Sequence, residues 1–225
     1  MDYDYLVDGL GKDDLVIDVG GGDGRIMDLL DCQTVTVDVQ FPSTDAETEY
    51  VRGDGCSLPF ETSTADYVLC NQVLEHIQDT DGVVKEIARV LKPNGEALVT
   101  FPNRLAPTQP HLPPRWYSYL PRSLGLKLAP HVLDESTADY YRNHEFMLSP
   151  WKARPILSRH FDTVEYRTFK SKTLYRDNHL SRINAGAFLR LIYVLSPMLS
   201  VIESSRGVGW LIELFYSNCV YHCRV

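Results

Sequence analysis

The chain lacks a cysteine pattern suited to metal or redox chemistry. Its five cysteines (Cys32, Cys56, Cys70, Cys219 and Cys223) include no Cys-x-x-Cys pair. Cys219 and Cys223 stand four apart in an expected strand, too far from each other to be bridged. The odd set therefore reads as reduced thiols, as in the cytoplasm. Positive charge is also scarce, with 22 Lys and Arg against 30 Asp and Glu and a net charge of −8. That balance argues against nonspecific nucleic-acid binding, which needs a basic face. The opening residues, MDYDYLVDGL, lack the basic region and apolar run of a secretory signal. The longest apolar stretch, Ala185–Ile202, is only marginally long enough to cross a bilayer and is interrupted by Arg190 and Pro197. It reads as two short helices packed on the sheet edge or on a neighbouring cover, with lipid contact through 185–202 as the alternative. No internal repeat is present. At 225 residues and 44% hydrophobic, the chain has enough apolar mass for one domain with one substantial core.

Against these absences stands Leu15–Arg25, LVIDVGGGDGR. An apolar, β-branched run ends in Asp18 and passes into Gly20, Gly21, Gly22 and Gly24, which let a backbone turn sharply and approach a ligand. Such a strand-to-helix turn in an α/β sheet holds nucleotide-like ligands at the carboxyl ends of the strands. A dinucleotide fingerprint needs glycine at the sixth loop position, where Arg25 stands, and no Gly-Lys-Ser or Gly-Lys-Thr closes a P-loop. What remains is acid-x-Gly-x-Gly-x-Gly. A carboxylate would repel a phosphate, so Asp18 and Asp23 suit a cationic ligand without phosphate, such as the ammonium and sulfonium of S-adenosylmethionine. Two more acids follow. Asp38 ends the short strand Thr34–Val37 and is placed for ribose hydroxyls; Asp54, after a third strand in YVRGDGCSLPF, is placed for the adenine amino group.

The segments VIDVGGGDGR, the Asp38 strand, GDGCSLPF, ADYVLCNQVLEHIQD and VVKEIARVLKPNGEALVTFPN, about Leu15 to Asn103, resemble the seven-stranded class I S-adenosylmethionine-dependent methyltransferases. The likeness is to the small-molecule branch typified by ubiquinone and menaquinone methyltransferases. It implies cofactor contacts at Asp18, Gly20, Gly22, Asp38, Asp54, Gly55 and Asn71, with S-adenosylhomocysteine as product. It also implies that the Glu75-His76 pair sits beside the reacting methyl group.

The order of elements fits that fold. Asp2–Leu10 is an amphipathic lead-in, Gly24–Leu30 an expected helix and Ala65–Asn71 a buried fourth strand. Asp79 or Thr80 caps a helix running to Leu91, with Val83, Val84, Ile87, Ala88 and Leu91 on its apolar face. Pro93-Asn94-Gly95 turns the chain into a fifth strand, Glu96–Phe101. The rhythm then breaks at 103–149, rich in proline and aromatics, which reads as an active-site cover. A helix at Pro150–His160, a sixth strand at Asp162–Phe169, a second insertion at 180–214 and a last strand at about Ser217–Arg224 follow. The expectation is a single α/β domain over 1–225. It is a Rossmann-like three-layer sandwich with a seven-stranded, mostly parallel sheet, the last strand antiparallel, and a helical cover after strand five.

Methyl transfer from a sulfonium is an in-line displacement, so a protein mainly positions the reactants. An oxygen or nitrogen nucleophile also benefits from a base near neutral pKa. His76, beyond the fourth strand, is a candidate with Glu75; its alternative role is a structural hydrogen bond. His111 and His144 belong to the cover, where an ordinary loop histidine is the alternative; His131 has no motif around it. Gln72 stands where some related enzymes carry the first acid of a Glu-x-x-Glu-His divalent metal site, so no metal is expected. The function expected is methylation of a small-molecule acceptor at an apolar, lipid- or glycan-linked hydroxyl, with carbon methylation open. The alternatives are a catalytically silent cofactor-binding scaffold and, disfavoured by Arg25, a nicotinamide-dependent oxidoreductase. The aromatic and proline-rich cover favours a flat or greasy acceptor over nucleic acid or protein. The expected location is the cytoplasm, with peripheral membrane contact through 185–202 as an extension.

Overall fold

A computed structural model describes residues 10–40, 48–104, 117, 119–166 and 218–225. Seven strands form one sheet: β1 (Leu15–Val19), β2 (Gln33–Asp38), β3 (Glu49–Arg52), β4 (Ala65–Asn71), β5 (Leu91–Pro102), β6 (Thr163–Tyr166) and β7 (Asn218–Arg224). Their order is β3-β2-β1-β4-β5-β7-β6. Strands β1 to β5 pair in parallel, and β7 lies antiparallel between β5 and β6. The order reverses beside β1, where β1 pairs with β2 on one side and β4 on the other, the switch point at which open α/β sheets bind ligands.

Alternation along the strands divides the core. Ile17, Val19, Val37, Val68, Cys70, Val99, Phe101 and Tyr221 pack into one buried cluster with Val83, Val84 and Ile87 of α1 (Thr80–Val90) and Ala153 and Leu157 of α4 (Pro150–Leu157). Val16, Tyr67, Leu69, Leu98 and Val220 form a second cluster with Met27, as strands with both faces buried require. Asp79 is the α1 cap, its carboxylate accepting from the Gly82 amide at 3.0 Å.

Two expectations change. The helix expected over Gly24–Leu30 is only a 3-10 turn at Met27–Leu29. The amides of Gly24, Met27, Leu29 and Leu30 each close on the carbonyl three residues back, and β2 begins at Gln33, too soon for a longer helix. The turn at Pro93-Asn94-Gly95 lies inside β5, where the β4 ladder shifts register between Ala65 and Tyr67 and Asn94 takes a φ of 67°.

The expected cover carries two helices, α2 (Arg122–Val132) and α3 (Glu135–Asn143). Tyr117, Ala129, Ala138 and Tyr141 are the buried core between them. Arg122 ties α2 to the end of α3: its guanidinium donates to the carbonyls of Tyr141, Arg142 and Glu145 and stacks over the rings of Tyr141 and Phe146. The insertion at 180–214, including the apolar run 185–202, and His111 of the cover lie outside the described residues. Among the described residues no helix is long and apolar enough to cross a membrane.

Candidate functional site

The glycine turn leaves β1 where the sheet order reverses. Gly20, Gly22 and Gly24 adopt φ of 70°, 58° and 69°, a region in which a side chain is strained. The Gly20 amide donates to the carbonyl of Val37 at 2.7 Å, pinning the turn to β2. Two of the glycines meet very different surroundings. A Cβ on Gly24 would come within 2.2 Å of the Tyr50 hydroxyl, whereas one on Gly22 would meet nothing within 4 Å. The turn is packed on one side and open at Gly22.

Asp18 lies beneath this turn, 1% exposed, and neither carboxylate oxygen has a hydrogen-bond partner. Burial, reinforced by the charges of Asp38 and Asp23, raises its pKa to about 7. At the end of β2, Asp38 accepts from the amides of Gly22 at 3.1 Å and Gln40 at 3.0 Å. Asp38 is thus a brace for the glycine turn as well as an acid at its rim.

Beyond β3, Asp54 accepts from the Cys56 amide at 2.8 Å and turns the loop that holds Gly55. Glu86 and Arg89 of α1 hold that loop from below: Glu86 accepts from the Leu58 amide, and Arg89 donates to the carbonyls of Leu58 and Phe60. At the end of β4, Asn71 accepts from the Thr100 hydroxyl at 2.5 Å. The cofactor candidates therefore lie at the carboxyl ends of β1, β2 and β4 and in the loop after β3.

After β4 the chain turns through Gln72, a non-glycine residue with a φ of 58°, into the 3-10 turn Leu74–His76. That turn meets the cover. The Phe146 amide donates to the Glu75 carbonyl at 2.6 Å. His76 Nδ1 lies 3.0 Å from the carbonyl oxygen of His144; because a carbonyl only accepts, Nδ1 carries the hydrogen. His76 Nε2 stands 3.9 Å from Glu75 Oε1. The rings of His76 and His144 both pack against Tyr140, at 6.3 and 6.0 Å between centroids. The structure brings together Glu75, His76 and His144, three of the four residues the sequence marked for chemistry.

It adds Glu145, 2% exposed, which the sequence reading missed. Burial raises Glu75 to about 8, with the charge of Glu145 adding to it. Burial likewise raises Glu145 to about 7, against the lowering effects of the Tyr140 hydroxyl and Arg122. The only trace of Glu145 in the sequence was its place in a His-Glu pair, the reverse of Glu75-His76.

A cavity of about 350 Å³ adjoins this cluster and not the glycine turn. Glu145, Arg122, Tyr141, Phe146, Met147 and Ile156 help to line it, with the start of α1. Among the described residues no group of three or more His, Cys, Asp or Glu is placed to hold a metal ion.

Residues 17–99 match the family model of a methyltransferase domain, the stretch on which the sequence resemblance rests. An uncharacterized methyltransferase of a Mycobacterium species (strain JLS) is 32% identical over 105 residues, covering 43% of this chain and 42% of that protein. A ubiquinone biosynthesis O-methyltransferase of Rickettsia canadensis is 26% identical over 102 residues, covering 40% of this chain and 43% of that protein. The chain thus spans about two fifths of the length of the curated relatives it matches. The fold is shared with a Haemonchus contortus phosphoethanolamine N-methyltransferase solved with S-adenosyl-L-methionine. Its TM-score is 0.53 at 17% identity, over 98% of this chain and 50% of that one. The seven-stranded, Rossmann-like α/β fold expected from the sequence is the fold observed.

Proposed function

We propose that this chain is an S-adenosylmethionine-dependent methyltransferase acting on a hydroxyl of a small, apolar, lipid- or glycan-linked acceptor. The observation that carries the reading is Asp18, a buried carboxylate with no partner beneath a glycine turn that is open at Gly22. A buried carboxylate in that position disfavours a phosphate and suits a cation. Asp18, Gly20 and Gly22 would hold the amino-acid end of the cofactor, Asp38 the ribose hydroxyls, Asp54 and Gly55 the adenine, and Asn71 the rim toward the acceptor. The matched methyltransferase domain, 17–99, spans all of them but none of the cover.

When bound, the cofactor supplies an electrophilic methyl on a sulfonium. The protein's part is to align the acceptor oxygen with that methyl and keep water away. The cover meets the Glu75-His76 turn through two hydrogen bonds, so a substrate closed beneath it would face Glu75, His76, His144 and Glu145. The choice of an oxygen acceptor leans on the quinone-branch resemblance, and the matched Rickettsia protein is an O-methyltransferase by name.

Single-turnover transfer of labelled methyl to a crude lipid and metabolite extract tests this. Label in one small-molecule fraction supports the reading. Persistent absence of transfer despite tight cofactor binding would make the protein a scaffold instead.

A further inference from the structure

The end of β4 carries a hydrogen-bond relay that no sequence motif marks. Thr100 of β5 stands beside Asn71 in the parallel β4–β5 ladder and is 4% exposed. Its hydroxyl oxygen lies 2.5 Å from Asn71 Oδ1 and 3.3 Å from Gln72 Nε2. We propose that Thr100 is a positioning residue: it turns the Asn71 amide so that the NH2 group receives the carboxylate of S-adenosylmethionine. This rests on the methyltransferase reading and goes beyond it by naming the group that Asn71 binds and the residue that orients it.

The polarity of the relay follows from its distances. A threonine hydroxyl has one hydrogen to give. A separation of 2.5 Å suits an O–H···O bond and falls below the usual N–H···O floor of about 2.7 Å. The hydrogen therefore goes to Asn71 Oδ1, and Gln72 donates to Thr100 through Nε2. With its oxygen held by Thr100, Asn71 has donors left to offer: Nδ2 donates to nothing among the described residues.

The same threonine holds the next residue by its backbone. The Gln72 amide donates to the Thr100 carbonyl at 3.0 Å, and Gln72 takes a φ of 58°, strained for a residue with a side chain. Val73 is thereby laid against the glycine turn, where a Cβ on Gly20 would come within 2.6 Å of Val73 Cγ2. Asn71 thus stands two residues from a side chain packed on Gly20, at the amino-acid end of the site.

An α-amino acid brings two opposite charges, which need opposite partners. Asp18 suits the ammonium. The carboxylate needs donors, and three amides of the glycine turn are already taken: Gly20 donates to Val37, Gly22 to Asp38 and Gly24 to Gly21. The Asn71 NH2 supplies donors without a positive charge that would compete with the ammonium for Asp18.

The test is isothermal calorimetry on the full chain with S-adenosylmethionine and with its decarboxylated form, which keeps the sulfonium and the amine. Thr100→Ser keeps the hydroxyl and should bind both compounds as wild type does. Thr100→Val should weaken S-adenosylmethionine by about tenfold and leave the decarboxylated form within about threefold of wild type. Asn71→Asp keeps the oxygen facing Thr100 and loses the NH2. It should weaken S-adenosylmethionine by about tenfold or more, again sparing the decarboxylated form. In an Asn71→Ala background, Thr100→Val should add no further loss, a coupling that an independent packing defect would not give.

Equal losses for both compounds, additive losses in the double variant, or Thr100→Ser behaving as Thr100→Val would overturn the proposal. Should Thr100→Val fail to fold, Asn71→Asp still decides: unchanged discrimination between the two compounds would overturn it. In the ligand-free protein, the side-chain amide ¹⁵N signal of Asn71, identified by its loss in Asn71→Ala, should move in Thr100→Val and hold in Thr100→Ser. An unmoved signal in Thr100→Val would also overturn it. Failure of wild type to bind either compound would sink the parent reading, whereas the amide signal reports the relay without any cofactor.

Discussion

His76 Nδ1 donates to the main-chain oxygen of His144 across 3.0 Å, so two histidines far apart in sequence meet through backbone and not ring to ring. The contact ties the turn after β4 to the cover. It fixes one imidazole face and leaves the Nε2 edge toward Glu75.

His76→Gln should therefore cost about 0.5–1.5 kcal/mol of stability, the worth of one hydrogen bond, and lower methyl transfer by no more than about tenfold. Chemical denaturation and single-turnover transfer check this together. A loss of transfer of about 100-fold or more, with stability unchanged, would make His76 the base.

Asp18 gives a pH dependence with a definite sign. Its folded pKa, about 7, lies above the ordinary carboxylate value of 3.8, so the folded state binds the proton more tightly than the unfolded. Its stabilising contribution is full below pH 3.8 and is lost as pH rises through about 7. Glu75 and Glu145 act in the same direction, up to about 8 and 7. Denaturation midpoints of the ligand-free protein should fall between pH 4 and 8, and Asp18→Asn should flatten that fall while weakening cofactor binding. A flat wild-type profile would contradict the burial of Asp18.

Gly22 and Gly24 separate folding from binding. Gly22→Ala should cost only the left-handed strain, about 1–2 kcal/mol, yet place a methyl on the open side of the turn and reduce cofactor affinity by about tenfold or more. Gly24→Ala should destabilise more, because its Cβ would meet the Tyr50 hydroxyl at 2.2 Å and Thr48 Cγ2 at 2.6 Å. Thermal melts and calorimetry on both variants decide it; equal melting losses would contradict the packing described.

Metal dependence has its own test. Gln72 stands in place of an acid, which leaves any site at Glu75 and His76 one anionic ligand short, so transfer should survive chelation unchanged. Complete loss restored by magnesium or manganese would contradict this.

The sequence was most readable where a strand's pattern meets a backbone constraint. Ala65–Asn71 appears as β4 with the predicted bounds, Asp79 caps α1, and the last strand starts one residue from its expected place. The glycine turn was legible because positive φ selects its residue type. The helix after it was overread, since propensity over Gly24–Leu30 says nothing of how soon β2 must begin. Glu145 was invisible for a different reason. Its burial depends on α2, α3 and the Glu75 turn closing around it, and no local pattern in RNHEFMLSP records that. Gln72 gave no signal of its left-handed backbone either, as glutamine is not a residue type that marks such a turn.

The central claim is that the acid-lined glycine turn binds a cationic adenosyl cofactor. Isothermal calorimetry with S-adenosylmethionine and with a nicotinamide dinucleotide tests it most directly, in wild type and in Asp38→Ala. The account predicts heat with S-adenosylmethionine alone, and affinity about 100-fold weaker in Asp38→Ala, which loses both the ribose acceptor and the brace on the Gly22 amide. No heat with S-adenosylmethionine, or unchanged affinity in Asp38→Ala, would contradict it.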